Sequence, residues 1–224
     1  IYTGEDTLSL HDALPISDIV CPWCFIGLRR LSAAIELVRQ DIPDFACSKR
    51  WQPFFLNPDT PPEGEPYLPF LIAKFGSRER VDEIFARIGA AGRDQGLAFA
   101  FDKIALRANT FDAHRLIHWA QQRGDAEALV ENLFVAQFER GRNVGDRAVL
   151  VQAAIEAGHD GPTVEAWLAS GAGSDELRTR ADEIRRLGIA SVPTYILDRR
   201  LAVVGAEDPA VLAQALKQAW ATRA

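Results

Sequence analysis

Asp18-Ile19-Val20-Cys21-Pro22-Trp23-Cys24-Phe25-Ile26-Gly27 is the stretch on which the reading of this chain turns. Asp18 to Val20 read as the end of a short apolar strand. Pro22 suits the first turn of a helix, where its missing N–H costs nothing. Beyond it Ile26, Leu28, Leu31, Ile35, Leu37 and Val38 keep a helical period to about Arg39. Cys21 therefore stands just before a helix, its sulfur facing unpaired backbone N–H groups and the positive end of the dipole. Both favour a thiolate over a thiol. Cys24 follows one turn later on the same face, within disulfide reach, where it can displace a partner held on Cys21.

A bare CxxC has other readings. Two buried structural cysteines are one. A zinc half-site is another, but there is no second CxxC or CxxH to complete four ligands, so no metal is expected. The context favours redox chemistry: the motif follows a strand, opens a helix, and is joined much later by Val192-Pro193 entering a strand. The third cysteine, Cys47, sits alone in a strand pattern and reads as a packed small residue.

Working outward, Asp41-Ile42-Pro43 ends the first helix, and Phe45 to Leu56 has the aromatic, alternating character of a strand. The turn formers from Asn57 to Gly64 mark a boundary. Segments near 67–75, 78–95, 110–123, 125–140, 146–157, 161–170 and 174–187 are then helical in pattern, with Asn109 or Thr110 as a cap. After Gly188 come a strand over Ser191–Leu197, a turn at Asp198–Arg200, a hairpin partner at Leu201–Val204, and a last helix opened by Pro209. Without the helical block, a β-α-β…β-β-α order remains. The expected fold is α/β, thioredoxin-like, interrupted by a large all-helical insertion. The expected units are 1–62 and 188–224 for the two halves of the thioredoxin-like domain, and 63–187 for the insertion.

Residues Ile1 to Ile16 resemble translated sequencing-adapter sequence, and the chain has no Met at all. They are expected to be foreign and are set aside from fold reasoning. That reading puts the native start outside the sequence and leaves a leader segment open.

With 224 residues, of which 48% are apolar, the chain can bury a sizeable core. No apolar run approaches the roughly 18–20 residues of a membrane helix. The net charge of −6 argues against a nucleic-acid surface. His114 and His118 have i, i+4 spacing, but the intervening Arg115-Leu116-Ile117 lacks the Glu of a zincin.

Four separated motifs in order resemble the DsbA-like superfamily, FrnE type: Ser17 to Gly27, Trp51 to Pro58, Asn109 to Leu116 and Ser191 to Tyr195. The likeness runs from about Ser17 to Ala221. It implies a protein-disulfide oxidoreductase or isomerase of DsbA-like type, with Cys21 attacking and Cys24 resolving. It also implies a cis Val192–Pro193 peptide beside them, presenting the Val192 backbone to a substrate chain. Pro22 and Trp23 would shape the turn and its rim. Asp18 reads either as an acid or proton relay for Cys24 or as a solvated loop aspartate. The resemblance puts Asn109, Ala113, His114 and Arg115 on a helix beside the centre, with His114 a site neighbour and His118 structural. The implied partners are thiol and disulfide substrates, protein or glutathione, with no nucleic acid or membrane. The protein would be a cytoplasmic monomer or homodimer, needing no cofactor beyond a Cys21–Cys24 disulfide. Two other readings stay open: a glutathione-dependent kappa-class-like isomerase or transferase, where a serine usually replaces Cys21, and a binding or chaperone module whose disulfide only locks the helix.

Overall fold

The computed structural model describes residues 12–222. The central strand is β1 (Asp12–Ser17), followed by α1 (Pro22–Asp41) and two short strands, β2 (Ser48–Lys49) and β3 (Gln52–Pro53). A separate two-stranded ribbon, β4 (Glu65–Pro66) with β5 (Leu106–Arg107), brackets α2 (Tyr67–Phe75), α3 (Arg78–Arg93) and a 3₁₀ turn at Phe101–Lys103. Then come α4 (Phe111–Gln121), α5 (Glu127–Phe138), α6 (Arg147–Glu156), α7 (Gly161–Ser170) and α8 (Ser174–Arg186). The hairpin β6 (Thr194–Leu197) and β7 (Leu201–Val204) and the helix α9 (Pro209–Ala221) complete the fold. The main sheet runs β2-β1-β6-β7, with β3 also on β1. β1 is parallel to β2 and β3 and antiparallel to β6. This is a thioredoxin-like α/β fold carrying a central helical insertion, α2–α8, as the pattern predicts.

The helix ends follow local chemistry. Asp146, Asp160 and Asp208 each accept a backbone N–H at the start of α6, α7 and α9, and Pro stands in the first turn of α7 and α9. Asn109 Oδ1 takes the Phe111 N–H at 3.0 Å, while Thr110 occupies the cap position without a side-chain bond. In the β6–β7 turn Asp198 and Arg199 both have positive φ, 46° and 57°, as a tight hairpin demands.

Three expectations are corrected. The first strand is Asp12–Ser17, not a strand ending at Val20; Asp18 to Val20 form the turn into α1. Residues 12–16, set aside as foreign, thus supply the middle of the sheet, with Ala13 and Ile16 fully buried. Residues 1–11 of that segment lie outside the described residues. Phe45 to Leu56 is not one strand but two short pieces, and the cause lies in Pro15. The Ala13 and Ser17 carbonyls accept the Arg50 and Phe54 N–H groups at 2.9 and 3.1 Å. Alternation points Pro15, between them, at the same neighbour, but it has no N–H to donate. The ladder breaks there, at the Arg50 carbonyl, which the Gln52 side-chain amide reaches at 3.4 Å; on the outer edge the Gln121 side chain takes both the N–H and the carbonyl of Trp51.

Helix α1 joins two cores. Its later turns (Leu31, Ala34, Ile35, Val38) pack with Leu212 and Leu216 of α9 and with Ala13, Tyr195 and Leu197 of the sheet. Its first turns, including Cys24, Phe25 and Leu28, belong to the core of the insertion. There Phe25 stacks on Phe134 of α5 at 5.0 Å between ring centroids. The CxxC motif thereby sits at the seam between sheet and insertion.

Candidate active site

Cys21 is the N-cap of α1, with extended dihedrals (φ −100°, ψ 108°) and Pro22 in the first turn. Its carbonyl accepts the Cys24 N–H at 3.0 Å, and its own N–H donates to the Asp18 carbonyl at 3.0 Å. These bonds fold the motif into a tight turn with both sulfurs on one side of the helix start. Cys21 is 5% exposed and Cys24 2%. The Cys21 sulfur stands 3.8 Å from the Val192 carbonyl oxygen, so residues 171 positions apart meet at the sulfur. The Val192–Pro193 peptide is cis. Trp23 is half-buried against the insertion core.

Burial, reinforced by the neighbouring Cys21, pushes the Cys24 thiol well above the usual range for a cysteine. Burial likewise pushes Cys47 up to about 11. Both are therefore protonated at neutral pH. Cys47 packs at the edge of the α1–α9 core, as its isolated position in the sequence suggests.

Asp18 is 1% exposed, which removes its reading as a solvated loop residue. One carboxylate oxygen accepts the Leu56 N–H at 2.8 Å; the other lies 3.4 Å from His114 Nε2. The Asp18 backbone and charge both act on Cys24. His114, itself buried, stands edge-on to Phe55 with centroids 5.2 Å apart. It lines a polar cleft of about 380 Å³ together with Ser17, Gln52 and Gln121. His118 lies apart from the sulfurs in its bonding, 3.0 Å from Glu176. Arg115 is buried as a brace, pairing with Asp112 at 2.6 Å and donating to the Ala172 carbonyl. Among the described residues no three His, Cys, Asp or Glu side chains are grouped to hold a metal ion.

Two residues of the site carry no role in the sequence reading. A Cβ on Gly27 would stand 2.1 Å from the Tyr195 hydroxyl and 3.1 Å from Pro193 Cγ. Gly27 is thus what lets β6 and the Pro193 turn approach α1 one turn beyond Cys24. Tyr195 is 1% exposed, and its hydroxyl has no hydrogen-bond partner. Burial, then the charges of Cys24 and Cys21, hold that phenol well above its ordinary range. A glycine in the middle of a good helix pattern is itself a signal of close approach. What approaches cannot be read from it.

Gly27→Ala is therefore expected to destabilise the fold. Alanine gains about 1 kcal/mol of helix propensity, but overpacking a tight site costs about 1–3 kcal/mol. The single variant should melt a few degrees lower, at roughly 2–4 °C per kcal/mol for a domain of this size. Gly27→Ala with Tyr195→Phe should recover most of the loss, because the nearest atom is gone. Calorimetric melting of the two single variants and the double variant checks this; additive losses would contradict it.

A family model described as DSBA-like thioredoxin domain matches residues 16–217. The chain belongs to the DsbA-like thioredoxin family. Among solved structures, a probable DsbA oxidoreductase of Streptomyces coelicolor is 35% identical, with a TM-score of 0.87, covering 96% of this chain and 92% of that one. The cytosolic disulfide reductase DsbM of Pseudomonas aeruginosa, in a structure with GSH, is 20% identical with a TM-score of 0.63, covering 94% and 96%; that likeness shows the fold. YwbO, an uncharacterized protein of Bacillus subtilis, is 25% identical over 182 residues, covering 81% of this chain and 84% of YwbO. As a DsbA-like protein the chain carries its CxxC pair at the start of the first helix after the central strand. Among the described residues no helix is long and apolar enough to cross a membrane.

Proposed function

We propose that this DsbA-like chain exchanges disulfides with protein or small thiol substrates, glutathione among them, through Cys21 and Cys24. The observation that carries the reading is the Cys21 sulfur at the α1 N-cap, 3.8 Å from the Val192 carbonyl, with the more buried Cys24 behind it. Acting as a reductant, the Cys21 thiolate bonds to one sulfur of a substrate disulfide, and the other sulfur leaves with the electron pair. Cys24 then gives up its proton and attacks the Cys21 sulfur, releasing the second substrate thiolate. Two electrons pass to the substrate, and the protein keeps a Cys21–Cys24 disulfide. The oxidising direction is the reverse, so no metal or organic cofactor enters.

The other residues take supporting roles in this proposal. The helix start favours negative charge on the Cys21 sulfur. Pro22 and Trp23 shape the turn and its rim. The backbone of Val192, ahead of Pro193, offers an extended substrate chain a hydrogen-bonding edge. Asp18 relays the Cys24 proton, with His114 beside it. The four motifs together support the FrnE type within the family, and residues 63–187 as the unit inserted between the two thioredoxin-like halves. GSH in the DsbM structure supports glutathione as a small thiol partner.

Two measurements test this. Catalysed reduction of insulin should be measurable, whereas a disulfide that only locks the helix would not turn over. In the reduced protein, iodoacetamide at neutral pH should label Cys21 first, and Cys47 labelling should rise only as the pH climbs toward about 11. Mass spectrometry of timed digests reads the order; Cys24 labelled first would reverse the roles.

A further inference from the structure

Between the start of α1 and the pair α2–α3 lies a cavity of about 240 Å³ that none of the exchange steps above uses. Val20 and Pro22, the residues flanking Cys21, form part of its lining with Trp23, and α2 and α3 add Tyr67, Phe70 and Phe85. Burial, and then the charge of Cys21, raise the Tyr67 phenol above its ordinary range, which places this wall within electrostatic reach of the nucleophile. The cations lining the cavity are Lys74, Arg87 and Arg107, and no Asp or Glu lines it. In a chain of net charge −6 that is a local reversal of sign.

Two residues of the lining, Arg107 and Gln137, each carry a buried side-chain atom without a partner, Nε and Oε1. Gln137 is 1% exposed and Arg107 8%. The far end of the Arg107 guanidinium pairs with Glu65, and the group lies 3.8 Å from the centroid of the Phe70 ring. That leaves the charges of Lys74 and Arg87 in excess over the Arg107–Glu65 pair. A buried donor and a buried acceptor left unmade cost free energy, which a ligand pairing with both would recover.

We propose that this cavity binds the aromatic-acid part of a small thiol or disulfide substrate and so presents its sulfur to Cys21. The inference rests on the disulfide-exchange reading above and names the substrate class for it. The ring packs among Trp23, Tyr67 and Phe85. The carboxylate accepts from Arg107 Nε and faces Lys74 and Arg87, and a ring hydroxyl or amine donates to Gln137 Oε1. The volume falls below the roughly 300–1,000 Å³ of sites for drug-sized ligands, so it suits a single substituted ring.

The test uses the reduced full chain in single turnover, with three disulfides as probes. These are 5,5′-dithiobis(2-nitrobenzoate), which is aromatic and anionic; 4,4′-dithiodipyridine, aromatic and neutral; and 3,3′-dithiodipropionate, anionic without a ring. Each reaction oxidises Cys21 and Cys24 to their disulfide and releases two thiolates, so it needs no other reactant. In the variant Lys74→Gln with Arg87→Gln, the rate with the nitrobenzoate relative to dithiodipyridine should fall by about tenfold, the worth of a hydrogen bond to a charged group. An equal fall with dithiodipropionate would mean general attraction of anions, and no fall would mean no site; either overturns the proposal. Calorimetric titration with 4-hydroxybenzoate, against 4-methylphenol as the neutral control, reads the cavity without sulfur chemistry. Binding by the wild type that Gln137→Leu and the double variant weaken supports the cavity even where exchange fails. No preference for the acid at about 10 mM overturns it even where exchange succeeds.

Discussion

Cys21→Ser is expected to reduce catalysed insulin reduction to the uncatalysed rate, and Cys24→Ser to accumulate a mixed disulfide on Cys21. The asymmetry follows from placement. Cys21 caps α1 beside the Val192 carbonyl, the backbone edge that the proposal gives to the substrate. Cys24 is 2% exposed and its thiol is held well above its ordinary range by burial and by Cys21 itself. It can act only on a partner already bonded to Cys21, and a serine there leaves that partner in place. Non-reducing mass spectrometry after incubation with a disulfide substrate reads both variants. A covalent adduct on Cys24 in the Cys21→Ser protein, with retained turnover, would overturn the assignment.

Asp18→Asn is expected to slow the second step, release of the mixed disulfide by Cys24, by about 10²-fold near neutral pH, the lower end of what a positioned base contributes. Asparagine can still accept the Leu56 N–H through its side-chain oxygen, so the local fold is kept. On the proposed relay, what is lost is the buried carboxylate that takes the Cys24 proton and passes it by His114 toward the polar cleft that His114 lines. The sign discriminates between two roles. The Asp18 charge is among the influences that raise the Cys24 thiol, although burial is the largest. If Asp18 acted only through its charge, removing it would ease ionisation of Cys24 and speed the step. The relay role predicts slowing, and a loss that shrinks as pH rises and hydroxide takes over the proton. Stopped-flow decay of a preformed mixed disulfide across pH separates the two; a faster step in Asp18→Asn would remove the relay.

The elements that local chemistry specifies were legible in the sequence. Pro22 in a first turn, the periodicity of α1, aspartates before α6, α7 and α9, and glycines between the helices all act within a few residues of themselves. Every helix from α2 to α8 accordingly falls within a few residues of its predicted span. The CxxC spacing of Cys21 and Cys24 and its place at a helix start are of the same local kind. So is the hairpin turn at Asp198 and Arg199.

Tertiary structure alone decided the rest, because those features depend on partners far along the chain. Pro15 argues against a central strand, yet β1 is central: its missing N–H coincides with the break between β2 and β3, where the Gln52 side chain reaches the Arg50 carbonyl and Gln121 of α4 holds Trp51 on the outer edge. Asp18 reads equally as solvent-exposed until Leu56 and His114 close over it. Gly27 is one glycine in a helix until Tyr195 and Pro193 arrive against it from the far side of the insertion. By itself the sequence determined which two sulfurs stand together and at the start of which helix. Only folding decided what surrounds them, since a buried acid, a close approach and a cavity between α1 and α2–α3 are made by residues that chain order keeps apart.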